Sequence, residues 1–432
     1  MRFRFPAGAA CIAVFSGLFT SGCVFFDAHK QQQLLDANCV IEGNARSARA
    51  DPRPIVVVLA RRTEGDAASH TPWQIVDHFV LERPGHWMFI AAAGNYGIAA
   101  FEDANRDLVY QPGEPFVGPE ANAVLCAPGG RIKDIALSIP AVASSKIGRA
   151  LDIAALQARS VDDQMNATLG QLTAVGELAS LSDARFSEDN AESGLWRPFD
   201  FLFNARAGIY FLQPYDPAKV PVLFVHGING TPLNFDYLIE HLDRTQFQPW
   251  VYYYPSGAHL AAIADHLTQT MTKLQQRYHF KRFAVVAHSM GGLVSRGFIL
   301  RYSDTGGAGA IPLFMTISTP WGGHKAAELG VKTAPVVVRV WYDMAPGSDY
   351  LRSIFSRPLP AGTVQHLVFT FNRNGNSFGE SNDHTVTVAS ELLPQAQREA
   401  LRSYGFDDTH MSVLQDPEVS SLLDRLLVQY YR

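Results

Sequence analysis

The stretch FAVVAHSMGGLVSRGF, Phe283 to Phe298, sets a β-branched apolar run directly against a helix-like run, with Ser289 at the junction. The run Phe283–Ala287 has the composition of a buried strand, and GGLVSRGFILRY begins a helix at once. A serine on such a strand-turn-helix junction is held on a strained turn with its hydroxyl exposed above a sheet, the context of a G-x-S-x-G nucleophile. Strand and helix backbones approach closely there, so the residues two before and two after the serine must be small. Gly291 fills one place, and Ala287 fills the other with a single added methyl. The alternative is a serine in an ordinary βα loop.

A hydroxyl is a weak nucleophile and needs a base, an acid to orient that base, and donors for the developing oxyanion. Upstream, VLFVHGINGTPLNF (222–235) is a buried run ending in a Gly-rich turn. The turn lacks the full spacing of a dinucleotide or phosphate loop. By position its Ile228 N–H, with the Met290 N–H after the serine, would form the oxyanion hole, while His226 reads as structural. Downstream, ESNDHTVTVASELL (380–393) puts Asp383 on a loop after the strand-like HLVFTFN, and DDTHMSVLQDPEV (407–419) puts His410 before a helix. His384 is the other histidine candidate. Its side chain would point away from that of Asp383, because neighbours on an extended segment face opposite sides. The alternates for the acid are Asp343, Asp407 and Asp408. Asp383 as a turn residue and His410 as a cap neighbour are the plainer readings.

With these motifs in order, residues 196–432 resemble the α/β-hydrolase superfamily. They are most similar to bacterial lipases and esterases and to the GPI-inositol-deacylase-like branch that shares HSMGG. The DHTVTVAS run resembles that branch's acid motif, with His384 where glycine is usual, and HMSVLQDPEV resembles its histidine motif. The resemblance implies a mostly parallel sheet with helices on both faces and a Ser289–His410–Asp383 triad acting through an acyl-enzyme, with no cofactor. Its substrate would be a carboxylic, lipid-like acyl ester. Amide or inositol-ester cleavage uses the same triad, and a non-catalytic surface-binding lipoprotein on a hydrolase fold is the competing class. The alternation of AGIYFLQ, VPVLFVHG, PWVYYYP, RFAVVAH, IPLFMTIST and VQHLVFTFN with helix-like segments points independently to such a sheet.

The rest of the chain reads differently. It has 432 residues, 47% hydrophobic and 18% charged, with a net charge of −5 and an isoelectric point near 6.3. That length suggests two domains, and the absence of any basic run removes the footprint of nucleic-acid binding. Arg2 and Arg4 followed by an apolar run from Phe5 to Phe19 read as an export signal. The run closes in LFTSGC, which resembles the lipobox of bacterial lipoproteins with Thr20 in place of the usual leucine. Residues 1–22 are then a signal peptide, Cys23 the lipidated residue, and 23–37 a polar tether to a membrane of the cell envelope. With Cys11 in the signal, Cys39 and Cys126 remain as an even pair in an oxidising compartment, and a disulfide between them is expected.

Residues 38–140 carry short β-rich runs between Gly, Pro and Asp, as in a small β-sandwich. Residues 141–195, with KIGRALDIAAL and QMNATLGQLTAVGELASL, have the Ala and Leu spacing of a helical connector. Within the sandwich, Asp103, Asn105, Asp107 and Glu114 occupy positions 1, 3, 5 and 12 of an EF-hand-like loop. Position 6 is Leu108 where glycine is needed, and the flanks read as strands, so a polar turn competes with a Ca²⁺ site of another type. Finally, WGGHKAAELGVKTAPVVVRVWYDMAPGSDYLRSIF (321–355) has an apolar side. It fits either a lid over the site or a helical excursion that completes the core.

Overall fold

The computed structural model describes residues 29–31, 33–34, 37–51, 53–62, 73–143, 151–152, 169–170, 172–373 and 380–432. The signal segment with Cys11, the lipobox with Cys23, and parts of the tether and connector lie outside the described residues. Among those described, the N-terminal part forms β1 (Cys39–Ser47), β2 (Ile55–Arg62), β3 (Trp73–Leu81), β4 (Gly85–Ala91) and β5 (Gly94–Glu102). The short β6 (Val109–Tyr110), β7 (Phe116–Val117) and β8 (Ala123–Cys126) follow, then β9 (Arg131–Ile139). One sheet has the order β4-β1-β9; the other has β3-β2-β5-β7, with β8 also paired to β5. Alternate residues of β1, β2 and β5, including Ile41, Val57, Leu59 and Ile98, share one buried core with Trp87 and Phe89 of β4. Period-two burial of this kind makes two sheets a sandwich. Cys39 and Cys126 are disulfide-bonded, with Cα atoms 6.0 Å apart, and join the two sheets.

The connector departs from its expected helix in two places. β10 (Leu151–Asp152) pairs with β6, and β11 (Ala174–Leu178) pairs parallel with β12 (Gly208–Phe211). Gly176 has φ 73°, a left-handed conformation that breaks a helix. The open edge of a sheet supplied hydrogen bonds that outweighed a weak Ala/Leu periodicity.

The remaining strands are β13 (Val220–Val225), β14 (Phe247–Tyr253), β15 (Ala284–His288), β16 (Leu313–Ile317), β17 (Val364–Phe371) and β18 (Ala400–Asp407). With β11 and β12 they form an eight-stranded sheet of order β11-β12-β14-β13-β15-β16-β17-β18. Neighbours run parallel except β12 and β14. Both faces are covered, which is why the strands read as continuous apolar runs. Leu223 and Val225 of β13 join one core with the helices Leu260–Tyr278 and Met290–Tyr302, while Val222 and Phe224 join another with the helix Pro417–Tyr431.

The Leu260–Tyr278 helix also carries the sandwich. Gln269 Nε2 donates to Met88 O at 3.3 Å, Lys273 Nζ pairs with Asp77 at 3.5 Å, and Gln276 Nε2 donates to Asp103 Oδ2 at 2.8 Å. These positions lie on one helical face. Among the described residues no helix is long and apolar enough to cross a membrane.

After β16, the apolar stretch that follows Pro320 forms the short helices Lys325–Thr333, Arg339–Met344 and Asp349–Ile354. Trp321, Val338, Val340 and Met344 are buried in the main core, so most of its apolar side completes that core. Leu329 and Tyr342 are its exposed large apolar side chains.

Candidate active site

The site lies at the carboxyl ends of the central strands, where parallel sheets leave a crevice. Ser289 follows β15 directly and has φ 54° and ψ −131°, outside the regions where a serine rests without strain. Its N–H donates to Ile317 O at 2.8 Å and its carbonyl accepts from Gly292 N at 2.9 Å, so flanking structure holds the turn. The small flanks are required as the sequence suggests. A Cβ on Gly291 would stand 2.3 Å from Val225 O, whereas the methyl of Ala287 is accommodated in the core.

A Cβ on Gly227 would lie 2.8 Å from Ser289 Cβ and 3.3 Å from its Oγ, so the HGING turn abuts the serine. Three amides after Ile228 have acceptors that fix the turn. Asn229 N donates to Ser256 Oγ at 3.0 Å, Gly230 N to Gly227 O at 3.2 Å, and Thr231 N to Asn234 Oδ1 at 2.8 Å. His226 supports this loop from below. Its Nδ1 donates to Gly227 O at 2.8 Å, its ring stacks 4.1 Å from that of Tyr254, and burial pushes its pKa down to about 4.

Asp383 and His410 meet: His410 Nδ1 donates to Asp383 Oδ2 at 2.6 Å, and His410 N donates to Asp383 O at 2.9 Å. The other carboxylate oxygen, Oδ1, accepts from Thr385 N at 2.9 Å and Val386 N at 2.6 Å, while Thr370 Oγ1 donates to Oδ2 at 2.8 Å. Burial by itself would raise this carboxyl. The His410 charge and hydrogen bond, together with the two backbone N–H groups, outweigh it and leave the carboxyl below its ordinary range.

The alternates serve elsewhere. Asp343 accepts from His259 Nδ1 and Leu260 N, Asp407 from Arg373 N, and Asp408 from Ser412 Oγ. His384 is exposed, and its φ of 78° is the left-handed backbone that explains why glycine is usual in the motif it resembles.

Sequence reading missed several supporting groups. His288 Nε2 donates to His410 O at 2.8 Å, and the two rings lie 4.7 Å apart. Burial, with the His410 charge adding to it, lowers the His288 pKa to about 3, so this ring is a neutral prop for the His410 loop. Ser318, Thr370 and Glu391 form a buried polar cluster behind Asp383, with Ser318 Oγ 2.8 Å from Thr370 Oγ1. His288 stands within the Phe283–Phe298 stretch, but its partner is a backbone atom 122 residues away, which local sequence does not reveal.

In the sandwich, Asp103 Oδ1 accepts from Asp107 N at 3.2 Å and Oδ2 from Leu108 N at 3.1 Å, while Glu114 accepts from Ala104 N and Gln111 N. Asn105 Nδ2 donates to Asp107 Oδ2 at 2.7 Å. Among the described residues no three carboxylate, imidazole or thiolate groups converge as a metal site requires.

Residues 256–391 match the profile of a family described as alpha/beta hydrolases of unknown function (DUF915). The fold is that of the α/β hydrolases. The matched span holds Ser289, Asp383 and Glu391 and stops before His410. No curated protein matches the sequence. Among solved structures, the chain is similar to mature Bacillus licheniformis lipase BlEst2, at 17% identity over 51% of this chain and 96% of that one, with a TM-score of 0.40. It is also similar to a Listeria innocua gene product (14% identity, 50% and 96% of the chains, TM-score 0.38) and to Aspergillus fumigatus lipase B (13% identity, 51% and 56%, TM-score 0.39).

Proposed function

We propose that this α/β hydrolase cleaves carboxylic acyl esters by nucleophilic catalysis at Ser289. The observation that carries the reading is the hydrogen-bonded Asp383–His410 pair, whose histidine loop is tied to His288, the residue preceding a strained serine. In this reading His410 Nε2 takes the hydroxyl proton as Ser289 Oγ attacks the ester carbonyl. The tetrahedral oxyanion is held by the N–H groups of Ile228 and Met290, and Asp383 stabilises the imidazolium. His410 then returns the proton to the leaving alcohol, and water repeats the sequence in reverse to free the acid. Every step uses side-chain and backbone groups of this chain.

The same proposal places the enzyme outside the cytoplasm on a lipid carried by Cys23. The lipobox-like LFTSGC and the Cys39–Cys126 disulfide, a bond that persists in oxidising compartments, support it. Rates on p-nitrophenyl esters of rising chain length test the chemistry: hydrolysis by the wild type with a preference for longer chains is expected, and no ester turnover by folded protein contradicts it. Metabolic labelling with an alkyne fatty acid tests the anchor: incorporation is expected in the wild type and not in Cys23→Ser, and equal labelling of both refutes it.

A further inference from the structure

A second carboxyl stands behind Asp383. Glu391 ends the short helix Val388–Glu391, is fully buried, and lies with Asp383 around one threonine. Thr370 N donates to Glu391 Oε2 at 3.0 Å, Thr370 Oγ1 donates to Asp383 Oδ2 at 2.8 Å, and the same Oγ1 is 3.5 Å from Glu391 Oε1. The two carboxyls thus face the same buried hydroxyl, which brings them side by side. Two carboxylates in one dry site cannot both ionise without a cation between them, and neither Thr370 nor Asp383 supplies one. Two acid groups can hydrogen-bond each other only if one keeps its proton.

Which of the two keeps the proton follows from their other partners. Asp383 faces His410 and accepts two backbone N–H groups on Oδ1, so the negative charge belongs there. Glu391 has one backbone N–H and a long contact to a hydroxyl whose single proton is already given to Asp383. Burial first, and the Asp383 charge second, push the Glu391 carboxyl well above the usual carboxylate range. Among the described residues, the pair is also faced by His410 on Asp383 Oδ2, by His288 on His410 O, and by His324, whose Nε2 donates to Thr385 O at 2.8 Å.

We propose that Glu391 is a positioning residue, an uncharged carboxylic acid that donates its proton in a hydrogen bond to Asp383 and so fixes that carboxylate against His410. The proposal rests on the reading of Asp383 as the triad acid. It assigns Glu391 a role distinct from a general base, since its proton is not transferred and it touches no substrate. By drawing on the same carboxylate that accepts from His410, the Glu391 donor also sets how strongly Asp383 favours the imidazolium.

The test uses full-length protein with Glu391→Gln, a neutral donor of the same shape, and Glu391→Leu, which fills the space without a donor. Glu391→Gln is expected to keep the wild-type pH profile of kcat/KM. Glu391→Leu is expected to lose ~10-fold in kcat/KM, in line with one hydrogen bond to a charged group. Its acid limb should move to higher pH by ~0.5–1 unit, because a carboxylate with one donor fewer holds the imidazolium more strongly. A Glu391→Leu profile equal to wild type overturns the proposal, as does a Glu391→Gln profile displaced as far as that of Glu391→Leu. An infrared difference spectrum, wild type minus Glu391→Gln, gives a readout without activity. The carbonyl band of a protonated carboxylic acid at neutral pH is expected, and a carboxylate band in its place refutes the inference. If the wild type hydrolyses no ester, the triad reading fails while the infrared result still decides the state of Glu391.

Discussion

Asp383 and Asp103 are both fully buried, yet their surroundings act on them in opposite directions. Asp383 faces an imidazole that can take a proton, and its carboxyl is held below the ordinary range. Asp103 faces the neutral amide of Gln276 and two backbone N–H groups of its own loop; there burial dominates and its carboxyl is raised. In the proposed function the first environment prepares a charge for chemistry; the second uses a buried carboxyl to close a turn and dock a sandwich on a helix. Burial alone therefore does not set the charge of an aspartate. A titratable partner at hydrogen-bond distance, His410 for Asp383, reverses the effect of burial.

Substitution of each aspartate by asparagine tests this contrast most strongly. Asp383→Asn should leave the fold intact and reduce kcat/KM by ~10⁴-fold, the size expected when a triad histidine loses its orienting charge. Asp103→Asn should leave the ester rate unchanged and destabilise the protein by ~1–3 kcal/mol, since an amide cannot accept from all three donors. Equal activity losses in the two variants, measured beside thermal melts, would erase the distinction.

The smaller effect lies in the pH dependence of stability. Because the folded-state pKa of Asp383 is depressed, its contribution is present above the ordinary value near 3.8 and is lost as pH falls through the folded value. Asp103 has the reverse sign: with a raised folded value, its contribution is full below 3.8 and declines as pH rises through that value. Melting temperatures across the acidic range should therefore show the wild-type advantage over Asp383→Asn growing with pH, and that over Asp103→Asn shrinking. Parallel slopes would mean that the two carboxyls sense the same environment.

Much of the site could be read from sequence because its parts are local. The turn around Ser289 is written in Ala287 and Gly291, the loop of Ile228 in HGING, and the strand-helix alternation in runs that match their burial. Asp383 and His410 could be placed by order, and the structure joins them by a hydrogen bond. The parts that escaped depend on distant partners: His288 on a carbonyl 122 residues away, and Glu391 on a threonine 21 residues back. The connector departs from its helical pattern for a related reason. The segment around Gly176 has helical Ala/Leu spacing, but the neighbouring edge strand at Gly208 decides its conformation. The apolar stretch after Trp321 carried two meanings in sequence, and burial of Val340 and Met344 favours the core.

Reaction of the full-length protein with a fluorophosphonate, followed by peptide mass spectrometry, tests whether Ser289 is the nucleophile. One covalent adduct is expected, on Ser289, absent from Ser289→Ala. A folded wild type that takes no label, or an adduct on another residue that persists in Ser289→Ala, would contradict it.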